Sequence, residues 1–440
     1  MRALVLGYGV SGQAAEKFLQ DAGYDTAIYD DNGKKGDIGV AFDFCVVSPG
    51  ISYGHDVIKT MVERDVPIIA EFELPFFLSK VKTKIVAVTG TNGKTTVVNQ
   101  IYDALRRAGR RAVLCGNVGN PLSGNTAFLH GSTAVVEVSS FMLEPSRHRI
   151  KYAALFRPHI AVITNITQDH LERHGTMEEY RRCKEQIFAT QARRGWLVLN
   201  YDDPQCRAIG TEVVEKREQT KRAAGVPRIL WFSAASRVRG FYYESGVIYK
   251  NTGGKVRPVF TAAAAKEDTP HGILNLLATV CVGHLLRIKN RAVLPAVTRV
   301  SRRDRIELVG ERNGVAFYND SKATNIAATL AACACFQMPV TLILCGRPKG
   351  QNYVELFEKL PKNVINIVVF GECAEQVFAC AKTANYANVT KVDDLQAAVT
   401  AATQKTAAPG TVLFSPSGSS FDMFESYIDR GQRFSALISG

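Results

Sequence analysis

Short apolar runs of strand length alternate with helical patterns along most of the chain, and this alternation limits the fold more than any other feature. Leu4–Leu6 precedes a glycine-rich turn and a helical pattern, and Thr26–Tyr29 and Phe44–Val47 continue the series. Strands that alternate with helices favour parallel pairing, because each connection crosses back over the sheet. The sequence therefore predicts an α/β fold built on parallel sheets.

The alternating pattern restarts twice, which predicts three α/β domains in series. With 440 residues, the chain is about three times as long as a usual domain. Charged residues at Lys80–Lys84 precede a new strand, Ile85–Val88, and a third alternating unit begins near Thr298. We predict domains over residues 1–81, 82–297 and 298–440.

The charge of the chain favours anionic ligands. It carries 54 Lys and Arg residues against 41 Asp and Glu, a net charge of +13. Such an excess suits nucleic acid, an anionic membrane surface or phosphorylated small molecules. Because no basic face is interleaved with aromatic residues, we expect small anionic substrates and no nucleic-acid partner.

Cysteine usage and hydropathy predict a cytoplasmic protein without membrane insertion. The 10 cysteines include no Cys-x-x-Cys pair, so in a chain of this length we expect reduced thiols. The uncharged stretch 323–346 has the length of a membrane span. It contains Asn325, Gln337 and Pro339, however, and divides into a predicted helix and a predicted strand.

A glycine-rich loop, Gly90–Thr96, follows the predicted strand Ile85–Val88 and begins a helical pattern. Backbone N–H groups of such a loop converge on phosphate oxygens at the helix N-terminus. Lys94 would pair with the terminal phosphates, and the Thr95 hydroxyl would ligate Mg²⁺. The loop is shorter than the strict Walker spacing, since Val88 stands where that pattern has glycine. A glycine-rich turn with an incidental lysine is the alternative.

A second glycine-rich turn, Gly7–Gly12, follows the first strand, and Asp30 ends the second strand. This spacing fits a dinucleotide fold in which the carboxylate meets a ribose hydroxyl. Alone it would suggest a nicotinamide oxidoreductase, and a structural turn without a ligand is also compatible with it. Together with Gly90–Thr96 it predicts two nucleotide ligands, one hydrolysed and one only held.

Polar residues at the ends of later strands form a third group. Glu137 ends one predicted strand, and Asp169 and His170 follow another. A carboxylate at a strand end is well placed to hold Mg²⁺ beside phosphates, while a lone histidine is often only a satisfied polar residue. Lys184 lies in a helical pattern, where a solvated helix charge is the plain alternative.

Two loops of the third unit combine polar groups. Asn319–Asn325 joins a strand to a helix, and its Asp320 and Lys322 suit ribose hydroxyls and phosphate. An ion-paired helix cap is the alternative. Ser415–Asp422 is predicted to follow the last strand, and its hydroxyl and N–H groups suit a carboxylate unless the loop is a plain connector.

In their order along the chain these motifs resemble the Mur ligase family. The segments that carry the resemblance are Gly90–Thr96, Glu137–Phe141, Asn165–His170, Tyr180–Lys184, Asn200–Asp203, Asn319–Asn325 and Ser415–Phe434. Gly7–Gly12, Ser48–Ile51 and Cys345–Gly350 are most similar to the branch that adds D-glutamate. The resemblance implies a Rossmann-like UDP-binding domain, a central P-loop ATPase-like domain with a parallel sheet, and a Rossmann-like C-terminal domain that binds the amino acid.

The resemblance also implies a reaction of peptidoglycan precursor synthesis in the cytoplasm, carried out by a monomer. ATP phosphorylates the carboxylate of UDP-N-acetylmuramoyl-L-alanine (UDP-MurNAc-L-Ala), and the amine of D-glutamate attacks the acyl phosphate. Two Mg²⁺ ions and a carbamylated Lys184 (N6-carboxylysine) are the implied cofactors. Another amino-acid ligase of the Mur or folylpolyglutamate type, and a non-catalytic nucleotide-binding scaffold with the same fold, remain as alternatives.

The family pattern implies roles for individual residues. The catalytic set is Lys94, Glu137, His170 and Lys184. The ATP set is Gly90, Thr91, Asn92, Gly93, Lys94, Thr95, Thr96, Asn275, Arg305, Asp320 and Lys322. The UDP-substrate set is Val10, Ser11, Asp30, Gly50, Asn117, Ser139 and His170. The D-glutamate set is Thr324, Lys349, Ser420, Phe421 and Tyr427, and the metal set is Thr95, Glu137, His170 and Lys184. The chain departs from the family pattern at Gly272, Asp304, Arg347-Pro348 and Ser417-Gly418-Ser419.

Overall fold

The computed structural model describes residues 1–78, 83–148, 156–220, 225–265, 269–298 and 304–439. By its internal contacts the chain divides into two compact units. Unit 1 comprises Met1–Ile166 and Glu178–Val300, and unit 2 comprises Thr167–Met177 and Ser301–Gly440. The predicted boundary between residues 81 and 82 lies outside the described residues. The three predicted domain ranges therefore stay a prediction.

The first sheet of unit 1 is parallel throughout, with the strand order β2-β1-β3-β4. Its strands are β1 (Arg2–Leu6), β2 (Asp25–Tyr29), β3 (Phe44–Val47) and β4 (Ile68–Ala70). Its helices are α1 (Val10–Asp21), α2 (Asp56–Glu63) and α3 (Leu74–Leu78). β3 is buried along its whole length, as expected for a strand covered on both faces. β4 was not predicted.

The second sheet of unit 1 has nine strands in the order β13-β12-β11-β10-β9-β8-β5-β7-β6. They are β5 (Lys84–Thr89), β6 (Ala112–Gly116), β7 (Thr133–Glu137), β8 (Ile160–Ile163), β9 (Trp196–Asn200), β10 (Arg228–Ser233), β11 (Gly240–Glu244), β12 (Val247–Asn251) and β13 (Val256–Thr261). Neighbours from β6 to β11 in this order are parallel, whereas β11, β12 and β13 pair antiparallel. β11, β12 and β13 therefore form an antiparallel edge on an otherwise parallel sheet.

Helices pack against the faces of this sheet and contribute to its core. The helices that begin between residues 82 and 297 are α4 (Lys94–Arg107), α5 (Thr126–Leu129), α6 (Ser140–Leu143), α7 (Leu171–His174), α8 (Met177–Glu185), α9 (Pro204–Gln219), α10 (Pro270–Leu285) and α11 (Asn290–Thr298). α7 belongs to unit 2. Valines of β5 and β7 form one hydrophobic core with leucines of α10 and with side chains of α4 and α11.

The sheet of unit 2 is parallel except for its first hairpin, and its strand order is β14-β15-β19-β16-β17-β18. The strands are β14 (Glu307–Arg312), β15 (Val315–Asn319), β16 (Val340–Cys345), β17 (Val364–Val369), β18 (Val389–Lys391) and β19 (Gly410–Ser417). The helices are α12 (Ile326–Cys333), α13 (Tyr353–Glu358), α14 (Ala374–Thr383), α15 (Leu395–Lys405) and α16 (Tyr427–Ser439).

Two expectations for unit 2 can be compared directly with these bounds. The stretch 323–346 does divide into a helix, α12, and a strand, β16. Ser415–Asp422, in contrast, does not begin after the last strand, because β19 continues to Ser417 and pairs there with Cys345 of β16. None of the described helices is both long and apolar enough to cross a membrane.

Candidate active site

The glycine-rich loop Gly90–Thr96, called the phosphate loop below, connects β5 to α4 in unit 1 and closely approaches α10. Gly93 has a left-handed φ of +86°, a conformation that favours glycine. A Cβ atom on Gly93 would lie 2.2 Å from the Oδ1 atom of Asn275 on α10. Only glycine therefore fits here, and the predicted ATP residue Asn275 lies directly against the loop.

The end of β8 fixes the shape of this loop. The carbonyl oxygen of Asn165 accepts a hydrogen bond of 2.9 Å from the Thr91 N–H, and its Oδ1 atom accepts one of 2.9 Å from the Asn92 N–H. The Thr164 hydroxyl donates to the carbonyl oxygen of Asn92 over 2.6 Å. The loop backbone is thus held in place before any phosphate binds, which lowers the cost of organising the site.

Two lysines converge on one carbonyl oxygen of the loop. The Nζ atom of Lys94 donates to the carbonyl oxygens of Gly90 at 2.9 Å and Thr91 at 2.7 Å. The Nζ atom of Lys184, on α8, donates to the same Gly90 oxygen at 2.8 Å and lies 4.4 Å from the centre of the Tyr180 ring. Lys184 is 1% exposed, so the plain alternative of a solvated helix charge is wrong for this residue.

Glu137 ends β7, the neighbour of β5 in the sheet, and is 1% exposed. Its Oε1 atom accepts a hydrogen bond of 2.9 Å from the Asn117 side chain. Its Oε2 atom is buried and has no hydrogen-bond partner among the described residues. A buried carboxylate oxygen left without a donor is costly unless a cation compensates it. This oxygen therefore fits a Mg²⁺ ligand at the carboxyl edge of the sheet.

The described residues contain no group of three or more His, Cys, Asp and Glu side chains arranged to hold a metal ion. Mg²⁺ does not require such a cage. It keeps several waters and is commonly bound by one or two carboxylates together with substrate phosphates. Glu137 and the half-buried Thr95, which lies in the first turn of α4, are donors of the right kind.

A cleft of 620 Å³ in unit 1 contains most of the predicted UDP-substrate residues. Its lining includes Val10, Ser11, Asp30, Gly50 and Asn117. The remaining member of that set in unit 1, Ser139, instead caps α6, where its hydroxyl accepts a hydrogen bond from the Met142 N–H. The glycine-rich turn after β1 in the first sheet and the end of β6 in the second sheet thus line the same cleft.

Asp30 supports the turn with both of its carboxylate oxygens. Oδ2 accepts a hydrogen bond of 2.6 Å from the Tyr8 N–H, and Oδ1 accepts one of 2.9 Å from the Asn32 N–H. These two backbone donors hold the pKa of Asp30 below its usual value. The ionised carboxylate therefore orders the glycine-rich turn, a role that its spacing alone does not reveal.

In unit 2, Lys349 forms a buried ion pair with Asp169. Its Nζ atom lies 2.6 Å from the Oδ1 atom of Asp169, and the two side chains are 9% and 6% exposed. The Oδ2 atom of Asp169 accepts a hydrogen bond of 3.2 Å from Asn325. The predicted D-glutamate residue Lys349 thus has an internal carboxylate as its partner, which the sequence did not reveal.

His170 follows Asp169 in unit 2 and lies between two carboxylates. Its Nδ1 atom is 3.3 Å from the Oε1 atom of Glu172, and its Nε2 atom is 3.7 Å from the Oδ2 atom of Asp169. The residue has a left-handed φ of +55°, which is uncommon outside glycine and is enriched at special positions. Its predicted roles toward metal and UDP substrate stay predictions.

Asp320 follows β15 and is enclosed by neighbouring backbone and hydroxyl donors. Its Oδ2 atom accepts a hydrogen bond of 2.7 Å from the Ser415 hydroxyl, and its Oδ1 atom accepts one of 3.3 Å from the Ile306 N–H. Burial raises the pKa of Asp320 to about 7, although Ser415 and the nearby Arg305 oppose this. The carboxyl thus changes its charge near neutral pH.

Arg430 of α16 is a central residue of unit 2 that the sequence analysis did not single out. It is 0% exposed and donates to the hydroxyl of Ser321 at 3.0 Å, to the Ser321 carbonyl at 2.8 Å and to the Gly418 carbonyl at 3.1 Å. It joins the loop after β15 to the loop after β19. Its signal in the sequence is a cation four residues before Phe434 on the buried face of a helix.

The predicted site residues divide between the two units. Unit 1 contains Val10, Ser11, Asp30, Gly50, Gly90–Thr96, Asn117, Glu137, Ser139, Lys184 and Asn275. Unit 2 contains His170, Arg305, Asp320, Lys322, Thr324, Lys349, Ser420, Phe421 and Tyr427. Within unit 2, Lys322 lies over the Tyr427 ring at 5.2 Å, Ser420 is buried and Phe421 is 67% exposed.

A phosphate loop at the carboxyl edge of a parallel sheet, with a second glycine-rich turn on a sheet of its own, defines a nucleotide-binding α/β protein of the P-loop class. Two family models match this chain. The Mur ligase middle domain covers residues 88–254, and the Mur ligase, glutamate ligase domain covers residues 304–418.

Named relatives cover almost the whole chain. It is 32% identical to a UDP-N-acetylmuramoylalanine–D-glutamate ligase of Koribacter versatilis, over 99% of this chain and 97% of that protein. It is 34% identical to the enzyme of the same name from Chlorobium limicola, over 90% of this chain and 84% of that protein. The structure of UDP-N-acetylmuramate-alanine ligase MurC from Thermotoga maritima shares the fold, with a TM-score of 0.58, 18% identity and coverage of 99% and 98%. The chain belongs to the Mur ligase family, and the predicted family and fold class are confirmed.

Proposed function

We propose that this chain joins D-glutamate to UDP-MurNAc-L-Ala at the expense of ATP. The observation that carries the proposal is the 32% identity, over 99% of the chain, with an enzyme named for this reaction. The γ-phosphoryl group of ATP moves to the substrate carboxylate and ADP leaves. The neutral amine of D-glutamate then attacks the acyl carbon, an amide bond forms and phosphate departs. The ammonium of free D-glutamate must first release a proton.

The phosphate loop of unit 1 serves the first half of this reaction. The loop N–H groups that follow Asn92, together with Lys94, hold the ATP phosphates, and Asn275 supports the loop through its contact with Gly93. Lys94 now donates to carbonyl oxygens of its own loop. It exchanges these bonds for phosphate oxygens when the nucleotide binds, so its charge is available without a change in the fold.

Thr95, Glu137 and a carbamylated Lys184 would hold Mg²⁺ in unit 1. When bound there, Mg²⁺ would neutralise phosphate charge during transfer. Support comes from the Oε2 atom of Glu137, which is buried and lacks a donor among the described residues. The corresponding role of His170, which lies in unit 2, stays a prediction from the family pattern.

The carbamate of Lys184 forms when the neutral amine attacks carbon dioxide, with formation of an N–C bond and release of a proton. The product is an anion with two oxygen acceptors, whereas the ammonium would repel Mg²⁺. The burial of Lys184 beside the Gly90 carbonyl supports this proposal, because its Nζ atom is held at the phosphate loop and is shielded from bulk water.

D-Glutamate is proposed to bind in unit 2 through Lys349. The ammonium of Lys349 already pairs with one carboxylate, that of Asp169, and a second carboxylate from the amino acid would share or replace that contact. Ser420 would hydrogen-bond the other carboxylate, with Thr324, Phe421 and Tyr427 nearby in the predicted pocket. We further propose that the enzyme acts as a cytoplasmic monomer in peptidoglycan precursor synthesis.

The test is phosphate release from ATP with UDP-MurNAc-L-Ala and a panel of amino acids. We expect release with D-glutamate and none with L-glutamate, meso-diaminopimelate or L-lysine. Release with a diamino acid instead would identify another ligase of the family. No release with any amino acid, from protein that still binds ATP, would favour a non-catalytic nucleotide-binding scaffold. Light scattering during size exclusion would test the monomer.

A further inference from the structure

Unit 1 has a second large cavity at the amino-terminal edge of its nine-stranded sheet. The cavity measures 950 Å³, and its lining includes Lys84, the first residue of β5, and Thr133, the first residue of β7. Because β5 and β7 run parallel, their first residues lie at the opposite edge from the phosphate loop and Glu137. The cavity is therefore distinct from the proposed nucleotide site.

The lining of this cavity is strongly basic. It contains Lys84, Arg110, Arg111 and Arg287, and no acidic side chain is among its described lining residues. Arg110 has a structural role, since it donates to the carbonyl oxygens of Leu286 at 2.6 Å and Arg287 at 3.2 Å and so caps the end of α10. The other three cations are exposed and make no ion pair with a described residue.

His159 adds a neutral hydrogen-bond donor to the same cavity. Its Nδ1 atom accepts a hydrogen bond of 3.2 Å from the Ile85 N–H, so the neutral ring carries its proton on Nε2. Burial, and then the charge of Lys84, lower the pKa of His159. The ring is therefore neutral at pH 7 and donates through Nε2 without increasing the repulsion among the cations.

Concave basic surfaces with apolar walls concentrate positive potential and attract anions. Leu285 and Leu286 form part of the wall here. Two further arginines add positive charge along the same edge of the sheet. Arg228 is the first residue of β10, and Arg193 lies shortly before β9, which pairs parallel with β10. Three cations in one cavity, none of them ion-paired with a described residue, match a ligand with several charged oxygens better than a single carboxylate or chloride.

We propose that this cavity binds a phosphate-bearing anion, held by Lys84, Arg111 and Arg287 with His159 as an additional donor. Guanidinium groups recognise phosphate through paired N–H bonds, and lysine adds a point charge. The shared chemistry is that of a free oligophosphate or a phospholipid headgroup, and the experiment below distinguishes the two sources.

The probe is inorganic tripolyphosphate, titrated calorimetrically at low salt. The Lys94→Ala chain serves as background, so that the phosphate loop does not dominate the signal. Adding Arg111→Ala and Arg287→Ala to this background is expected to weaken binding about tenfold or more, since two charge-assisted contacts are lost. The matched control adds Lys255→Ala and Arg257→Ala, which remove the same charge from exposed positions in and next to β13, and it is expected to leave binding unchanged.

Equal weakening by both pairs would overturn the proposal, because the effect would then reflect general surface charge. Absence of tripolyphosphate binding by the Lys94→Ala chain would also overturn it, provided that its unfolding temperature matches the wild type. A second arm uses sedimentation with phosphatidylcholine vesicles that contain phosphatidylglycerol. Vesicle binding that is lost on Arg111→Ala with Arg287→Ala but kept on Lys255→Ala with Arg257→Ala identifies a lipid headgroup. Tripolyphosphate binding without vesicle binding identifies a free anion.

Discussion

The ammonium of Lys184 donates a hydrogen bond of 2.8 Å to the carbonyl oxygen of Gly90, 94 residues earlier in the sequence. Lys94 donates to the same oxygen. One backbone atom thus connects the lysine that would hold phosphate with the lysine proposed to carry a carbamate. Through this bond α8, a helix outside the phosphate loop, contacts the loop directly.

Lys94→Ala is expected to lower turnover at least about a hundredfold, because the side chain supplies charge at the transferred phosphoryl group. It adds little to the core, so the unfolding temperature should stay within about 2 °C of the wild type. Phosphate release and calorimetry give the two values. Arg106→Ala, at the exposed end of the same helix, is the control. Near-normal release by Lys94→Ala would show that the phosphate-loop assignment is wrong.

Lys349→Ala should raise the Michaelis constant for D-glutamate far more than that for ATP. The substitution also leaves Asp169 buried without its cation, which typically costs about 3 kcal/mol or more. Asp169→Asn with Lys349→Met removes both charges and should recover most of that stability but not the affinity for D-glutamate. Lys359→Ala, which breaks an exposed pair with Glu355, is the control. Equal changes in both Michaelis constants would place Lys349 outside the amino-acid site.

The sequence could locate the phosphate loop because its characteristic residues, Gly90–Thr96, are seven consecutive positions. It could locate Glu137 because a strand ends there. It could not reveal the Lys349–Asp169 pair, whose members are 180 residues apart and meet only when the segment after β8 joins the fold of unit 2. Arg430 was missed for the same reason, since Ser321 and Gly418, to which it donates, belong to loops that only the order of the strands brings together.

Short or exposed strands were the least predictable part of the fold. β4 and β18 have three residues each, too few for an alternating pattern to be recognised. β13 and β14 are edge strands with several exposed positions, so they lack the continuous apolar run that identified β5 or β16. The central parallel strands were predictable because both of their faces are buried.

Asp320→Asn is expected to remove a pH dependence of unit 2. The folded pKa is raised to about 7, so the carboxyl stabilises the fold at low pH and this contribution is lost as pH rises through 7. Between pH 5 and 8 the free energy of unfolding of the wild type should fall by about 3 kcal/mol, and that of the variant should not show this fall. Calorimetric scans at both values test this. Asp429→Asn is the control and should keep the pH dependence of the wild type, because Arg433 lowers the pKa of Asp429 and that carboxylate stays ionised between pH 5 and 8. If Asp320→Asn and the wild type showed the same change of unfolding free energy with pH, the expectation would be contradicted.

Two glycines of the first turn, Gly9 and Gly12, should respond differently to substitution by alanine. A Cβ atom on Gly12 would lie 2.0 Å from the carbonyl oxygen of Gly7, a backbone atom that cannot move aside cheaply, whereas one on Gly9 would meet nothing within 4 Å. Gly12→Ala should therefore lower the free energy of unfolding by about 1–3 kcal/mol, and Gly9→Ala should change it by less than about 0.5 kcal/mol. Denaturant unfolding measures both. Equal stability of the two variants would show that α1 is not packed closely on the turn.

Lys184→Ala should be nearly inactive, and short carboxylic acids in the buffer should partly restore turnover by supplying the missing oxygen acceptors. The physical reason is charge: a carbamate attracts Mg²⁺ beside Glu137, whereas an ammonium in the same buried position repels it. A direct readout is carbon-13 NMR after incubation with labelled bicarbonate, where a carbamate signal should appear for the wild type and be absent from Lys184→Ala. Lys216→Ala, at an exposed position on α9, should retain both the signal and the activity. Normal turnover by Lys184→Ala in bicarbonate-free buffer would exclude a carbamate role, and a wild-type spectrum without the signal would exclude the modification itself.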